Sequence, residues 1–401
     1  MVEWKLVETQ PHSLAKRLRF DRAELGGALG DLGVFIPLLV GMVNRCGLQF
    51  GPALFCAGLM NLVSGLIFGI PIPVQPMKAI AAVAIGEGLT HQQVLTAGIA
   101  TGAVILVLTL TGLIDWLNRA IPQSVVRGLQ LGLGLKLLIK GVEMITDAQV
   151  LIGWDSIGLG ILCTLVVLML YGSTRIPAAL LVFAIGLIAL VASQPALLSQ
   201  TRLGMTWTMP VLSDWSAWRI GVVHAALPQI PLTTLNSVIA VCALSRDLFP
   251  NRPAAPRRVA ISVALMNLVC CPLGGMPVCH GSGGLAAQYR FGARTGGSIV
   301  MLGVAKMGLA LLLGGSLLLW LEHYPQSVLG VLLLFSGVEL ALVCRDQSSR
   351  IAFFVMIITA GVSAAANMAV GFLAGWAVAI LLVQGVMRIA PPADAPNDPS
   401  S

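Results

Sequence analysis

The sequence predicts an all-α polytopic membrane protein of about fourteen transmembrane segments in a 7+7 inverted repeat. Three observations predict it: a composition too apolar for water, apolar stretches along the whole chain, and short motifs that return half a chain apart. Of 401 residues, 57% are hydrophobic and 10% charged, against about 25% charged in an ordinary soluble domain. Stretches such as Ile161 to Leu170, Ala178 to Ala192 and Val300 to Trp320 recur, and about 20 apolar residues suffice to cross a bilayer core.

Residues 1–24 are polar and basic, with no apolar run ahead of a small-residue cleavage site, so they read as a cytoplasmic N-terminal tail rather than a secretory signal. The eight cysteines (Cys46, Cys56, Cys163, Cys242, Cys270, Cys271, Cys279 and Cys344) form no CxxC pair and lie mostly in apolar runs. They read as small hydrophobes, and neither disulfides, a metal site nor a cofactor is expected. The net charge of +7 comes from Lys and Arg scattered between apolar runs, without the aromatic-interleaved patch of a nucleic-acid binder. Orientation in a membrane explains these charges better.

Apolar runs punctuated by Gly, Pro and charge begin near Leu25, Gly51, Val74, Val94, Pro122, Leu151 and Pro177, then again near Gly221, Arg257, Pro277, Ser298, Pro325, Arg350 and Gly371. The expected organisation is a first repeat over 25–195, a connector rich in Pro, Ser and Trp over 196–220 with room for an interfacial helix, a second repeat over 221–389 and a short polar tail over 390–401. With both termini cytoplasmic, one side collects most basic residues, among them Lys16, Arg17, Arg127, Arg246, Arg257, Arg290 and Arg350. The other side keeps Arg45, Lys136, Lys140, Arg202 and Arg219, the asymmetry of the positive-inside rule. The chain therefore reads as a multi-pass protein of a plasma or inner membrane.

The repeat rests on two echoes. Pro122-Gln123-Ser124-Val125 returns as Pro325-Gln326-Ser327-Val328, each opening a long apolar span that soon contains Gly-Val-Glu. Ile72-Pro73-Val74 and Met276-Pro277-Val278 each precede a short Gly/Ala-rich segment at nearly the same offset. Matching offsets argue for duplication, and an odd number of spans per half makes the copies inverted.

The second echo marks two interrupted spans, the third and the tenth. From Pro71 to Lys78 the chain reads PIPVQPMK, where dense prolines remove backbone donors and hold preceding residues extended. The helix-compatible stretch after Lys78 is too short to span. Gly274 to Gly284 repeats the design with glycines. Such backbone is tolerated at membrane depth where it is buried in protein or lines a cavity. Two half-helix N-termini then point at one midplane site, where free amides and positive dipole ends favour an anion. Lys78 offers a positive charge there, and Gln75, His280 and Ser282 offer hydrogen-bond donors. Alternatively, Lys78 snorkels to an interface or pairs with Glu87, and His280 is a satisfied structural histidine.

Asp31 stands among glycines in the first span, a costly place for a carboxylate; it is a candidate coupling group, partner of Lys78 or structural cap. The eighth span, from Pro228, carries Gln229, Thr233, Thr234, Asn236 and Ser237 but no carboxylate before Asp247. Such groups ligate a desolvated oxyanion without repelling it, although Ser and Thr also serve helix packing. Glu143 and Glu339 each follow the duplicated Gly-Val pair. Asp31, Glu339 and His280 motivate an expectation of proton coupling.

PVQPMKAIAA from Pro73 and PVCHGSGGLAAQYRFGARTGG from Pro277 resemble the two signature motifs of MOT-type molybdate transporters, relatives of the SulP sulfate permeases. GALGDLG from Gly27 and PQIPLTTLNSV from Pro228 resemble the same family. The resemblance implies a SulP-like fold shared with nucleobase and anion permeases, split into core and gate portions that move like an elevator. It places Gln75, Pro76, Lys78, Cys279, His280, Gly281, Ser282, Gly283 and Gly284 at the substrate site, with Gln229, Thr233 and Asn236 beside them. Only about a dozen polar residues follow Arg388, so no regulatory STAS domain is expected.

The expected function is secondary transport of a tetrahedral oxyanion, with resemblance pointing to molybdate and tungstate expected to compete. Sulfate shares charge and shape and stays open as the alternative. A nucleobase permease of the same fold is a weaker rival, because such sites offer carboxylates to base nitrogens. An intramembrane enzyme is not supported: His280 stands where GxSxG needs Gly, and HExxH is missing. Expected partners are the oxyanion, the lipid bilayer and a second copy in a homodimer, not nucleic acid.

Overall fold

Glycine, proline and capping residues cut the apolar chain into helices close to the starts read from sequence. The computed structural model describes residues 18–30, 32–173, 178–210, 214–387 and 389. The first half holds α1 (Arg22–Gly30), α2 (Leu32–Cys46), α3 (Phe50–Phe68), β1 (Gln75–Pro76), α4 (Lys78–Glu87), α5 (His91–Leu110), α6 (Leu113–Ala120), α7 (Gln123–Thr146), α8 (Ile157–Leu170), α9 (Ala178–Ser193) and α10 (Ala196–Gln200). The second holds α11 (Trp215–Leu248), α12 (Pro256–Cys270), β2 (Val278–Cys279), α13 (Ser282–Arg290), α14 (Gly297–Leu313), α15 (Leu317–Glu322), α16 (Gln326–Leu342), α17 (Arg350–Ala365) and α18 (Met368–Val383).

Among the described residues, five helices are long and apolar enough to cross a membrane: α3, α5, α11 and the helices over Pro256–Leu273 and Gln326–Asp346. Shorter apolar helices include α8, α9, α14, α17 and α18. Large apolar side chains such as Met169, Ile188, Val304 and Phe353 face outward, a surface that lipid solvates and water does not. All eight cysteines are buried.

Local chemistry sets the boundaries. Thr90 and Gln93 form a reciprocal capping box on α5, and Ser156 caps α8. The stretch from Val300 to Trp320 is not one span: Gly314 and Gly315 divide α14 from α15, and the break is held by the connector. There Gly315 N–H donates to Gly204 C=O at 3.1 Å and Ser316 Oγ donates to Arg202 C=O at 2.8 Å. Beyond the five-residue helix α10 the described part of the connector runs without helix to residue 210. α11 passes through Pro228 and Pro231 unbroken, but winds more widely over Gly221–Ala226 and Thr233–Ala240. Proline withholds an i→i−4 donor, and π-type turns absorb the mismatch.

Two crossings bring backbones into contact through glycine. A Cβ on Gly134 of α7 would stand 2.6 Å from the carbonyl oxygen of Gly337 on α16, and one on Gly337 would stand 2.4 Å from that of Gly134. Gly141 and Gly330 meet with the same reciprocity, at 2.5 and 2.6 Å. Gly58 of α3 and Gly303 of α14 do likewise, at 2.8 and 2.6 Å. Small residues let membrane helices approach this closely. Gly134 and Gly337 are as far apart in sequence as Pro122 and Pro325. At that offset, the counterparts of Gly141 and Gly330 are Cys344 and Arg127, and these also touch: Cys344 Sγ lies 3.0 Å from the Arg127 carbonyl oxygen.

Candidate oxyanion site

The dense prolines of the third span do what their chemistry requires. The chain runs non-helically through Pro71 to Pro76, pairs as β1 with β2 in antiparallel register, and then enters α4. Gln75 lies opposite Cys279 and Pro76 opposite Val278; Met77 N–H donates to Pro277 C=O at 2.9 Å. A buried hydroxyl and a buried amide anchor the two segments. Ser64 Oγ donates to Ile72 C=O at 3.0 Å, and Asn267 Nδ2 donates to Val278 C=O at 2.7 Å while its Oδ1 accepts from Val278 N–H at 2.9 Å. Asn267→Leu should leave both Val278 groups without a partner, at about 1–3 kcal/mol each. The expected result is a lowered melting temperature of the purified chain in detergent; an unchanged one would show that Asn267 does not anchor β2.

α4 has ten residues, about 15 Å of helix or half the roughly 30 Å apolar thickness. Gly88 ends it at φ 69°, where a Cβ would be strained. α13 has nine residues. The short two-strand pairing brings the N-termini of both half-helices together.

The two ends differ. On α4, Gln229 Oε1 accepts from Ala79 N–H at 2.9 Å and Ile80 N–H at 3.3 Å, while its Nε2 donates to Thr233 Oγ1 at 2.9 Å. These two amides, expected to be free for an anion, are thus capped by a neutral group from α11, and α4 offers mainly its dipole. On α13, no side chain among the described residues accepts from the first amides of the helix. Lys78 Nζ points at this end, 4.0 Å from where a Cβ on Gly283 would stand. An ammonium beside the positive end of one helix and on the first turn of another concentrates positive potential.

A cavity opens here, lined by Lys78, Gln130, Gln229, Leu232, Asn236, Ser237, Cys279, His280, Gly281 and Leu340. Among the described residues no carboxylate lines it. Asn236 Oδ1 accepts from Ser282 Oγ at 2.9 Å, which turns the hydroxyl away from other acceptors. His280 is fully buried, with Nδ1 2.9 Å from Pro73 C=O and Nε2 3.1 Å from Ser262 Oγ. A carbonyl only accepts, so Nδ1 carries the proton and the ring ties the second broken span to the first. Both nitrogens are engaged within the protein, so His280 positions the strands rather than donating to a ligand. Gly281 admits Gln75: a Cβ there would lie 2.1 Å from Gln75 Oε1. Gln75, Pro76, Thr233 and Gly284 are buried behind the lining, and Gly283 is exposed.

The remaining expectations fall elsewhere. Glu87 bonds Lys136 at 2.9 Å and lies 3.2 Å from His224 Nδ1, not Lys78, at the far end of α4. Glu339 is exposed on α16 and is not among the lining residues. Asp31 lies outside the described residues, between α1 and α2. Sequence reasoning missed Gln130, and had Ser237 only among the polar groups of the eighth span. Gln130 is a lone amide in the apolar span LQLGLGLKLL, a signal of the kind that marks Asp31.

A family model described as "Molybdate transporter of MFS superfamily" matches residues 23–137 and 221–340. The chain belongs to this molybdate transporter family. It is 39% identical to "Molybdate transporter 1" of Arabidopsis thaliana, over 91% of this chain and 89% of that one. Its fold resembles murine Slc26a9, an anion transporter in the inward-facing state, with TM-score 0.68 at 14% identity, over 94% of this chain and 71% of that one. It also resembles the transmembrane domain of the cyanobacterial bicarbonate transporter BicA, with TM-score 0.64 at 12% identity, over 89% of this chain and 97% of that one. The molybdate transporter family therefore shares the SLC26/SulP type of fold, and the chain is a multi-pass membrane transporter rather than an enzyme.

Proposed function

We propose that this chain is a secondary transporter of molybdate, with the oxyanion held where α4 and α13 begin. One observation carries the reading: Lys78 and two half-helix N-termini face a cavity whose lining, among the described residues, holds no carboxylate. A tetrahedral dianion there gains the Lys78 charge, the first amides of α13, and the amide and hydroxyl of Asn236 and Ser237. Charge-assisted hydrogen bonds of this kind are about twice as strong as neutral ones. Family membership favours molybdate over sulfate, since the helix ends attract both alike.

The fourteen spans form two inverted repeats, 25–195 and 221–389, joined by 196–220, with both termini cytoplasmic. Support comes from residues that meet their own counterparts: Gly134 with Gly337, and Gln75 with Cys279. The family model also matches two segments of similar length, one in each half. The two half-helices move as one unit against α7 and α16, carrying the anion in an elevator-like step. Coupling to protons is assigned to Asp31 and Glu339, since both His280 nitrogens are engaged within the protein.

Uptake of labelled molybdate by purified chain in liposomes tests the reading, with excess tungstate, sulfate or uracil and with or without a pH gradient. Molybdate should accumulate, tungstate should compete strongly, uracil should not, and an inward proton gradient should raise the rate. Uracil uptake without oxyanion uptake would overturn the assignment, and sulfate preferred to molybdate would move the substrate but not the site.

A further inference from the structure

Gln130 lies on α7, whereas the other polar groups of the cavity come from α4, α11 and the β2–α13 segment. Leu340 of α16 is its apolar neighbour in that wall. Gln130 is fully buried, and its Oε1 accepts from Arg127 Nη1 at 2.8 Å. A guanidinium has only donors, so this bond fixes which end of the amide is oxygen. Arg127 is itself held by Asp346, with Nε 3.0 and 2.9 Å from the two carboxylate oxygens, and Asp346 also accepts from Gln123 Nε2 at 2.9 Å. The Nε2 group of Gln130 is buried and has no hydrogen-bond partner among the described residues. A buried donor left without an acceptor carries a desolvation cost, and this one belongs to a cavity that concentrates positive potential.

We propose that Gln130 Nε2 donates a hydrogen bond to an oxygen of the bound oxyanion and is a substrate-contacting, affinity-determining residue of the α7 wall. The inference rests on the oxyanion reading above and adds to it. Asp346 and Arg127 orient the amide, and the anion supplies the missing acceptor. The bound anion then joins the α7–α16 wall to the half-helices, a link that an empty cavity lacks.

The test compares Gln130→Leu and Gln130→Glu with the unaltered chain, each full length and purified in detergent. Molybdate affinity is read by calorimetry and stability by thermal melting, at neutral pH or above so that a carboxylate paired with Arg127 is ionised. Gln130→Glu keeps the acceptor for Arg127 but replaces the Nε2 donor with a charged oxygen that also repels the anion, whereas Gln130→Leu removes the donor without adding charge, so a purely structural role predicts unchanged affinity in Gln130→Leu wherever its melting temperature is kept. The proposal predicts at least about tenfold weaker molybdate binding in both variants, the loss expected for a hydrogen bond to a charged group, with the melting temperature of Gln130→Glu preserved. Unaltered binding in either variant overturns the inference alone. Failure of the unaltered chain to bind molybdate overturns the site reading and this inference with it.

Discussion

Lys78→Met should raise the half-saturating molybdate concentration for uptake by about two orders of magnitude or more, and leave the fold intact. Two unit charges 4 Å apart interact by about 4 kcal/mol at an effective dielectric of about 20, and a dianion feels more. The lysine is half-buried on the first turn of α4 and directs its ammonium to the first turn of α13. Methionine keeps the length and apolar stem of the side chain and removes the charge. Lys78→Arg should recover part of the affinity, because it keeps the charge in a bulkier fork. Uptake measured against molybdate concentration separates these outcomes; a Lys78→Met chain with ordinary affinity would show that the charge lies off the substrate path.

Gly281→Ala should be nearly as damaging for a steric reason. The added carbon would stand 2.1 Å from Gln75 Oε1 and 3.1 Å from its Cδ, and Gln75 is fully buried. Relief requires moving Gln75 or parting β1 from β2, and overpacking of this kind costs about 1–3 kcal/mol. Because that pairing sets the approach of the two helix ends, uptake should fall to background along with a lower melting temperature. Shortening the opposing side chain, as Gln75→Ser with Gly281→Ala, should restore the melting temperature. No rescue in the double variant would mean that the two residues do not compete for the same space.

Much of this arrangement was legible in the sequence, because prolines and glycines announce backbone that cannot continue a helix. Pro71, Pro73 and Pro76, and Gly274 and Gly275, located both broken spans, although the half-helices begin at Lys78 and Ser282, ahead of the stretches read as helical after Lys78 and Gly284. What stayed hidden depends on contacts between distant segments. Nothing near Gln229 reveals that its amide caps a helix begun 150 residues earlier. Nothing beside His280 reveals that Pro73 and Ser262 occupy its ring. The run from Val300 to Trp320 reads as one span until the connector is seen to hold Gly315 and Ser316. Gln130 could have been found by giving lone intramembrane amides the suspicion given to carboxylates.

The glycine crossing of α7 and α16 bears on how such a chain could arise. Gly134 meets Gly337 and Gln75 meets Cys279, residues set apart by the offsets at which the short motifs return, which the proposed inverted repeat makes counterparts. A residue touching its own copy is the mark of an isologous two-fold interface. The same contacts would be available to a half-length ancestor inserted in both orientations and associating as an antiparallel pair. On that proposal fusion would have added only a connector, and with it the freedom for the halves to diverge, one keeping Lys78 where the other keeps Ser282.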